Sequence, residues 1–476
     1  MLLSRLCTLN KVAVIGLAAI FVSAISTPKI ISSQLEQQTL DIVKQVNAIP
    51  YYKAELLDAN FGWLSSEAKV KVGLDFSSLA AQQPELKDLE ALEVVFDIDY
   101  SHGPLLASGF NLANFNVSLN SDGITENLNW DKAQPLYQLT AKTDLFGNLS
   151  YRDKSPKMSY INSDGLEFMV DAYQGQATSE NGQLIHKGVL PLMTFTSPEL
   201  AMSVTDLVMD TELSQPLTSY FNYDSIPVYS ASVMFGNWQF RTANDEPVAS
   251  LNKLLMTMTS DLDETTRLAS GELAYKLNDF AVMGYEGQNL ELVMETNNWD
   301  EQSYIKLNKM FLMPSEGTDS DTQIDQIISF LQDNLLDILR PNPEFNITSL
   351  KGSLPEGDFN ANLMAKVENV ESTPNTLTDI KFWLSHLNVN SHVEIAKPLF
   401  EMVARQIVMS QLVNHPSLAD ATPEELNQAV EQQTPSFIGM LQAQGTIITK
   451  GDIYLLDFEL ADQQAKLNGN DFPLPL

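Results

Sequence analysis

Leu92-Glu93-Val94-Val95-Phe96-Asp97-Ile98-Asp99-Tyr100 decides the fold. Leu92, Val94, Phe96, Ile98 and Tyr100 fall on one side of an extended chain, and Glu93, Val95, Asp97 and Asp99 on the other. A period of two with one apolar side marks a strand with one buried and one wet face, the habit of antiparallel sheet. The same writing recurs upstream, where Ala68, Val70, Val72, Leu74 and Phe76 alternate with Lys69, Lys71, Gly73 and Asp75. It recurs again at Ala113, Phe115, Val117 and Leu119. Further strands are predicted around Leu136–Leu149, Val228–Phe240 and Leu290–Glu295. Asn120-Ser121-Asp122-Gly123 and Asn162-Ser163-Asp164-Gly165 share one tetrapeptide, whose Asp-Gly supplies the positive φ a hairpin needs.

Helical spacing interrupts this pattern in few places. Ile31, Leu35, Ile42, Val43 and Val46 predict an amphipathic stem over residues 29–50, packed on its own body or on a second copy. After the polar, acidic run Ser315–Asp321, Ile324, Ile327, Ile328, Leu331, Leu335 and Ile338 predict a helix with Asp321 as N-cap, stopped by Pro341. Strands resume from Phe345 to about Val393. A second helical block covers Pro398–His415 and Pro423–Gln442, with Pro435 ending or kinking it. A hairpin, Thr446–Leu460 with Ala465–Phe472, closes the chain. The expected class is α+β: a β-rich part over 51–314 and an α+β part over 315–476, mostly antiparallel, with a few packed helices toward the C-terminus.

Ahead of the stem, Val12-Ala13-Val14-Ile15-Gly16-Leu17-Ala18-Ala19-Ile20-Phe21-Val22 opens an uncharged run that ends at Pro28, behind Arg5 and Lys11. As helix at ~1.5 Å per residue the run spans roughly 25 Å, which Lys29 or Ile30 and Ile31 can extend toward a ~30 Å hydrocarbon core. Residues 1–28 therefore read as a membrane anchor with a cytoplasmic N-terminus, or as a signal peptide cleaved after Val22-Ser23-Ala24. Either one exports the body.

Those residues hold two of the 28 bases and none of the 61 acids, so the body is more negative than the chain's net −33. That sign excludes nucleic acid as a partner and opposes anionic headgroups. Cys7 is the only cysteine. It precedes the apolar run, so the body forms no disulfide and no thiolate metal site.

Nothing in the sequence carries the signature of a catalytic centre, a metal or a cofactor. The five histidines are His102, His186, His386, His392 and His415, and no His-Glu-x-x-His or Gly-x-Ser-x-Gly occurs. His386 and His392 fall in a strand-like stretch at a separation of about 20 Å, too far to share a metal, and read as a solvated pair. Asp97-x-Asp99 sits on a wet strand face. Asp319-x-Asp321 lacks the glycine and third ligand of a calcium loop.

Several local phrases stand out. Gly62-Trp63-Leu64-Ser65-Ser66 leads into a strand, and Tyr100-Ser101-His102-Gly103-Pro104-Leu105 leaves one. Gln134-Pro135-Leu136 precedes Phe146-Gly147, and Asn342-Pro343-Glu344 precedes Leu354-Pro355-Glu356-Gly357. Gly445-Thr446, Lys466-Leu467-Asn468-Gly469 and Phe472-Pro473-Leu474 close the chain. In this order they resemble the bacterial YdgA-like family, a conserved domain without an assigned function. The resemblance implies a retained anchor: a single-pass inner-membrane protein with a periplasmic body. It carries over no catalytic residue. Gly62, Trp63, His102, Gly103, Pro104, Asn468 and Gly469 read as structural positions. The resulting expectation is a non-enzymatic envelope protein that binds lipid or another apolar ligand in a groove of a curved sheet, left on the apolar face of Ala68–Phe76, Leu92–Tyr100 and Ala113–Leu119 with Phe96 and Val117 at its centre. The alternatives are a scaffold that self-associates in the inner membrane and, last, an envelope hydrolase.

Overall fold

The structure is a computed structural model that describes residues 31–48, 52–62, 65–74, 92–102, 113–119, 127–144, 146–162, 165–180, 182–215, 225–312, 320–374, 376–413 and 422–474. It is a large antiparallel β-sheet body with a few helices. Two compact units make it up. The first comprises Met1–Val248, Met258–Arg267 and Glu301–Leu331, and the second Ala249–Thr257, Leu268–Asp300 and Gln332–Leu476.

In the first unit, helix α1 (Ile31–Ala48) precedes β1 (Tyr52–Phe61), β2 (Ser65–Leu74), β3 (Leu92–His102), β4 (Ala113–Leu119), β5 (Leu128–Trp130), β6 (Tyr137–Thr143) and β7 (Leu149–Ser155). There follow β8 (Met158–Ile161), β9 (Glu167–Val170), β10 (Tyr173–Glu180), β11 (Gln183–Thr196), β12 (Leu200–Leu213) and β13 (Tyr229–Thr242). The ladder runs β1-β2-β3-β4-β6-β7-β10-β11-β12-β13, every pair antiparallel. Strand β11 is long enough to pair with β10 along its first half and β9 along its second.

Register makes the core. Ala68, Ile98, Val117 and Leu139 face one another across β2, β3, β4 and β6, and beside them Ser66, Tyr100, Phe115 and Ala141 do the same. All are buried, Val117 to 1% exposure, so the groove expected around Phe96 and Val117 is instead filled as core. Helix α1 lays Ile42 and Val46 on this cluster. Asn47 fastens its end: Oδ1 accepts from the Ala54 N–H at 2.8 Å and Nδ2 donates to the Ala54 carbonyl at 2.9 Å. The stem thus packs on its own body.

The second unit takes in most of β14 (Pro247–Asp263) and β15 (Leu268–Val282), β16 (Tyr285–Asp300), β17 (Glu344–Leu354), β18 (Gly357–Val367), β19 (Leu387–Ala396), β20 (Ile448–Lys450), β21 (Ile453–Ala461), β22 (Gln464–Leu467) and β23 (Asn470–Phe472). From β15 onward, successive strands pair antiparallel through β19, which then pairs with β21. β21 also pairs with β20 and β22, and β22 with β23.

The structure corrects several expectations. β1 precedes the first strand read from the sequence, and the Ala68 strand begins earlier, at Ser65. The Leu136–Leu149 stretch is two strands, because Asp144 Oδ1 accepts from the N–H groups of Phe146 and Asn148 and turns the chain. Helix α2 (Glu301–Leu312) lies where only strands were expected. Helix α3 (Ser320–Leu339) starts before Asp321, which sits inside its first turn. His386 ends helix α4 (Ile380–His386) while His392 lies in β19, so the two share no strand face.

Helices α5 (Lys397–Val413) and α6 (Pro423–Ala443) form a hairpin. α6 continues past Pro435 and does not end there: Glu431, whose carbonyl loses its i+4 donor, and Pro435 are both exposed, and water can take the freed oxygen. The Asn162 turn behaves as read, with Asn162 Oδ1 accepting from Leu166 N–H and Gly165 at φ 76°. The Asn120 turn lies outside the described residues.

Candidate functional site

The second unit has one apolar sheet face. Residues paired across strands point the same way, so the registers define rows. Leu292, Leu350, Ala361, Val393 and Leu456 form one, and Met294, Ile347, Leu363, Ser391 and Phe458 the next. Leu273 and Tyr275 of β15 extend both. No charge falls among these positions. The opposite side is polar and ionic. Glu291 meets Lys351 at 3.1 Å and Lys276 at 3.5 Å, Lys366 meets Glu344 at 3.1 Å and Glu368 at 2.8 Å, and His392 bonds Asp457. The four acids and their partners make that face a wet one.

What distinguishes this apolar face is its cover. The α5–α6 hairpin rests on the end of the face that Ile395 and Tyr454 mark, where Tyr454 joins Ala404, Ile438 and Ile447 in a core and Phe400 packs edge-on to its ring. Away from that end, none of the row side chains on β15–β19 is fully buried, and Phe345 and Leu350 are 40% and 37% exposed. Such a face can receive a long apolar molecule chiefly by area, the hydroxyls of Ser391 and Tyr275 being the polar groups within its named rows.

A second feature, in the first unit, escaped the sequence reading. Asp153 lies in register with Leu139, at the end of the buried row, and is 3% exposed. Its further neighbours in that row are Gly175 and Gly188. The two glycines leave the hollow that the polar groups fill. A Cβ on Gly175 would come within 2.1 Å of Asp153 Oδ1 and 2.5 Å of the Tyr173 hydroxyl, and one on Gly188 within 2.7 Å of the same hydroxyl.

Tyr137 donates to Asp153 Oδ2 at 3.2 Å. The Tyr151 hydroxyl lies 3.0 Å from His186 Nδ1, and the Tyr173 hydroxyl 3.2 Å from Nε2. One proton arrangement satisfies the imidazole: Tyr151 donates to Nδ1 and Nε2–H donates to Tyr173, while Asp153 Oδ1 is left without a hydrogen-bond partner. Burial pushes the Asp153 carboxyl up, a shift that His186 and the tyrosines partly offset. Burial pulls His186 down, against the pull of Asp153 and Asp210. Tyr137, Tyr151 and Tyr173 are all held protonated, chiefly by burial and then by Asp153. The cluster is a buried set of hydrogen-bonded groups, a position that suits structure better than turnover. Its signal was legible in Leu149-Ser150-Tyr151-Arg152-Asp153, whose parity puts the aspartate with the leucine and tyrosine.

The positions singled out from sequence do not converge on a site. Val12–Val22, Trp63, Gly103 and Pro104 lie outside the described residues. Gly62 closes the β1–β2 turn, donating to the Ser65 carbonyl at 3.0 Å, and a Cβ there would sit 2.5 Å from that oxygen. His102 ends β3 opposite Ala113. Asn468 and Gly469, both at positive φ, turn β22 into β23. Asn468 Nδ2 donates to the carbonyls of Gly445 at 2.6 Å and Thr446 at 3.0 Å, and its Oδ1 accepts from Asp457 N–H at 2.8 Å. It ties the hairpin's exit to the sheet. Among the described residues no helix is long and apolar enough to cross a membrane, and no cluster of His, Cys, Asp and Glu could hold a metal ion.

The described residues form an antiparallel body with one partly open apolar face, and among them no catalytic constellation is assembled. The chain belongs to the family described as bacterial protein of unknown function (DUF945), whose model matches residues 9–475. No curated protein and no solved structure matches it.

Proposed function

We propose that this chain is a non-enzymatic, YdgA-like protein of the bacterial envelope that binds lipid or another apolar ligand on the open face of its second unit. In this reading residues 1–28 hold it in the inner membrane by a single span and the body stands in the periplasm. One observation carries the binding: the rows through Leu292 and Met294 are only partly buried across β16–β19, with Leu350 37% exposed. Apolar surface left in water costs about 25 cal/mol per Å², so a few hundred Å² amounts to on the order of 5–10 kcal/mol. An occupant recovers that free energy. The uncharged run ahead of the stem supports placement beside a bilayer, the source of acyl chains.

The test is saturable binding of an uncharged fluorescent acyl probe to the full chain, with Ile347→Asp as control. Binding by the wild type and its loss in the variant support the proposal. A folded wild type without saturable uptake overturns it, and a stable dimer free of lipid would move the face to the self-association reading.

A further inference from the structure

One end of the first unit differs from the rest of the body in charge and in what leaves it. Because its ladder is antiparallel throughout, the registers gather the connections after β1, β3, β6, β10 and β12 at one end and those after β2, β4, β11 and β13 at the other. Read as sequence, the connections at the first end, 62–64, 103–112, 144–148, 181–182 and 214–228, hold Asp144 and Asp224 as their only charged residues. At the other end the single connection 75–91 holds Asp75, Glu85, Lys87, Asp88 and Glu90. In so acidic a chain, an end nearly free of charge is a distinct surface.

Helix α1 points its N-terminus out of this end. Asn47 is fastened to Ala54 near the start of β1, whereas Thr39 Oγ1 lies 3.5 Å from the Tyr100 hydroxyl near the end of β3. From Thr39 back to Ile31 the helix adds ~12 Å, against ~7 Å of strand from Tyr100 to His102, so it outruns the strands. Pro28, just ahead of Ile31, closes the uncharged run. Phe146 projects from the same end and is 90% exposed. Its turn is fixed: Asp144 Oδ1 accepts from the N–H groups of Phe146 and Asn148, Oδ2 accepts from Asn148 Nδ2 at 2.9 Å, and Gly147 supplies φ 88°. The acid is engaged within the turn, and the ring adds no burial to the fold.

Resting on the single-span anchor reading above, we infer that this end of the first unit docks on the bilayer surface, with Phe146 entering the boundary between headgroups and acyl chains. Exposed aromatic side chains settle at that boundary. The occupant is a lipid surface rather than a second copy, because the stretch leading into α1 at this end is the uncharged run itself. The near absence of charge spares the contact the repulsion that the rest of an acidic body would meet at anionic headgroups.

The experiment uses the full chain, with Cys7→Ser, in phosphatidylcholine vesicles. An environment-sensitive fluorophore is attached through Phe146→Cys or, at the opposite end, through Ala133→Cys in the exposed turn that leads to β6. Both positions are exposed, so neither label disturbs the core. A nitroxide near the top of the lipid acyl chain quenches only labels that reach it. We expect the nitroxide to lower the emission at position 146 several-fold and to leave position 133 nearly unchanged. Equal quenching at the two positions, or none at either, in a chain that floats with the vesicles overturns the docking and leaves the anchor standing. A chain that does not float with them overturns the anchor and the docking together.

Discussion

The sheet faces of the two units are written in the same alternating code and end in different states. In the first, Ile98, Phe115, Val117 and Leu139 are buried to 2% exposure or less. In the second, Met294, Ile347 and Leu363 hold equivalent in-register positions and are only partly buried. The first face gains a helix fastened to it through Ile42, Val46 and Asn47. The second receives the α5–α6 hairpin only at the Tyr454 end. Alternation therefore specifies which side of a strand is apolar. Whether that side becomes core depends on what reaches it.

Substitutions that carry a charge onto each face break this comparison most sharply. Val117→Asp places a lone carboxylate at 1% exposure, which costs at least about 4 kcal/mol. The first unit should fail to fold, as urea titration followed by limited proteolysis would register. Asn468→Ala comes next. It strips partners from two carbonyls and one N–H and should lower stability by about 2 kcal/mol, visible as a reduced urea midpoint.

A smaller effect, of opposite sign, is expected at Asp153. Its folded carboxyl titrates above the ordinary value of 3.8, so the folded state binds that proton more tightly than the unfolded one. The penalty is greatest above the folded pKa and is relieved as pH falls through it. His186 titrates below its ordinary 6.5: its contribution is intact above 6.5 and is lost as pH falls from there toward the folded pKa. Asp153→Asn should thus raise stability at pH 8 by about 1 kcal/mol, a gain that shrinks toward pH 4. His186→Gln should instead flatten the loss below pH 6.5. Melting curves across pH 4–8 separate the two. The smallest effect belongs to the open face, where Ile347→Asp should cost less than about 1 kcal/mol while abolishing acyl-probe binding.

Much of this architecture was legible in the residues. Parity found β2, β3 and β4 and the wet placement of Asp97, which meets Lys69 at 3.3 Å. Helical spacing found α1, α3 and the α5–α6 hairpin. Strand β1 hid because Leu56 and Leu57 break its alternation, and the register shifts between Leu56 and Asp58. Helix α2 hid behind a strand-rich surrounding. The histidines misled: His386, placed in a strand, is the last residue of a helix, and it is no solvated side chain, since its Nδ1 lies 2.9 Å from the Glu368 carbonyl and its ring packs on Phe382. The polar cluster required three strands in register before Asp153, Gly175 and His186 became neighbours, and no local pattern encodes that pairing. Cover is equally non-local, which is why the sequence announces an apolar face without saying whether it is open.

Thiol accessibility measures that property most directly. Cys7 is the only native cysteine, so a Cys7→Ser background can carry Val117→Cys or Ile347→Cys singly, each reacted with a small thiol reagent under native conditions. The open-face account predicts that Ile347→Cys reacts within about tenfold of the rate in denaturant, that an acyl probe protects it, and that Val117→Cys reacts only as fast as the first unit opens. Equal, strong protection at both positions without any ligand would contradict it.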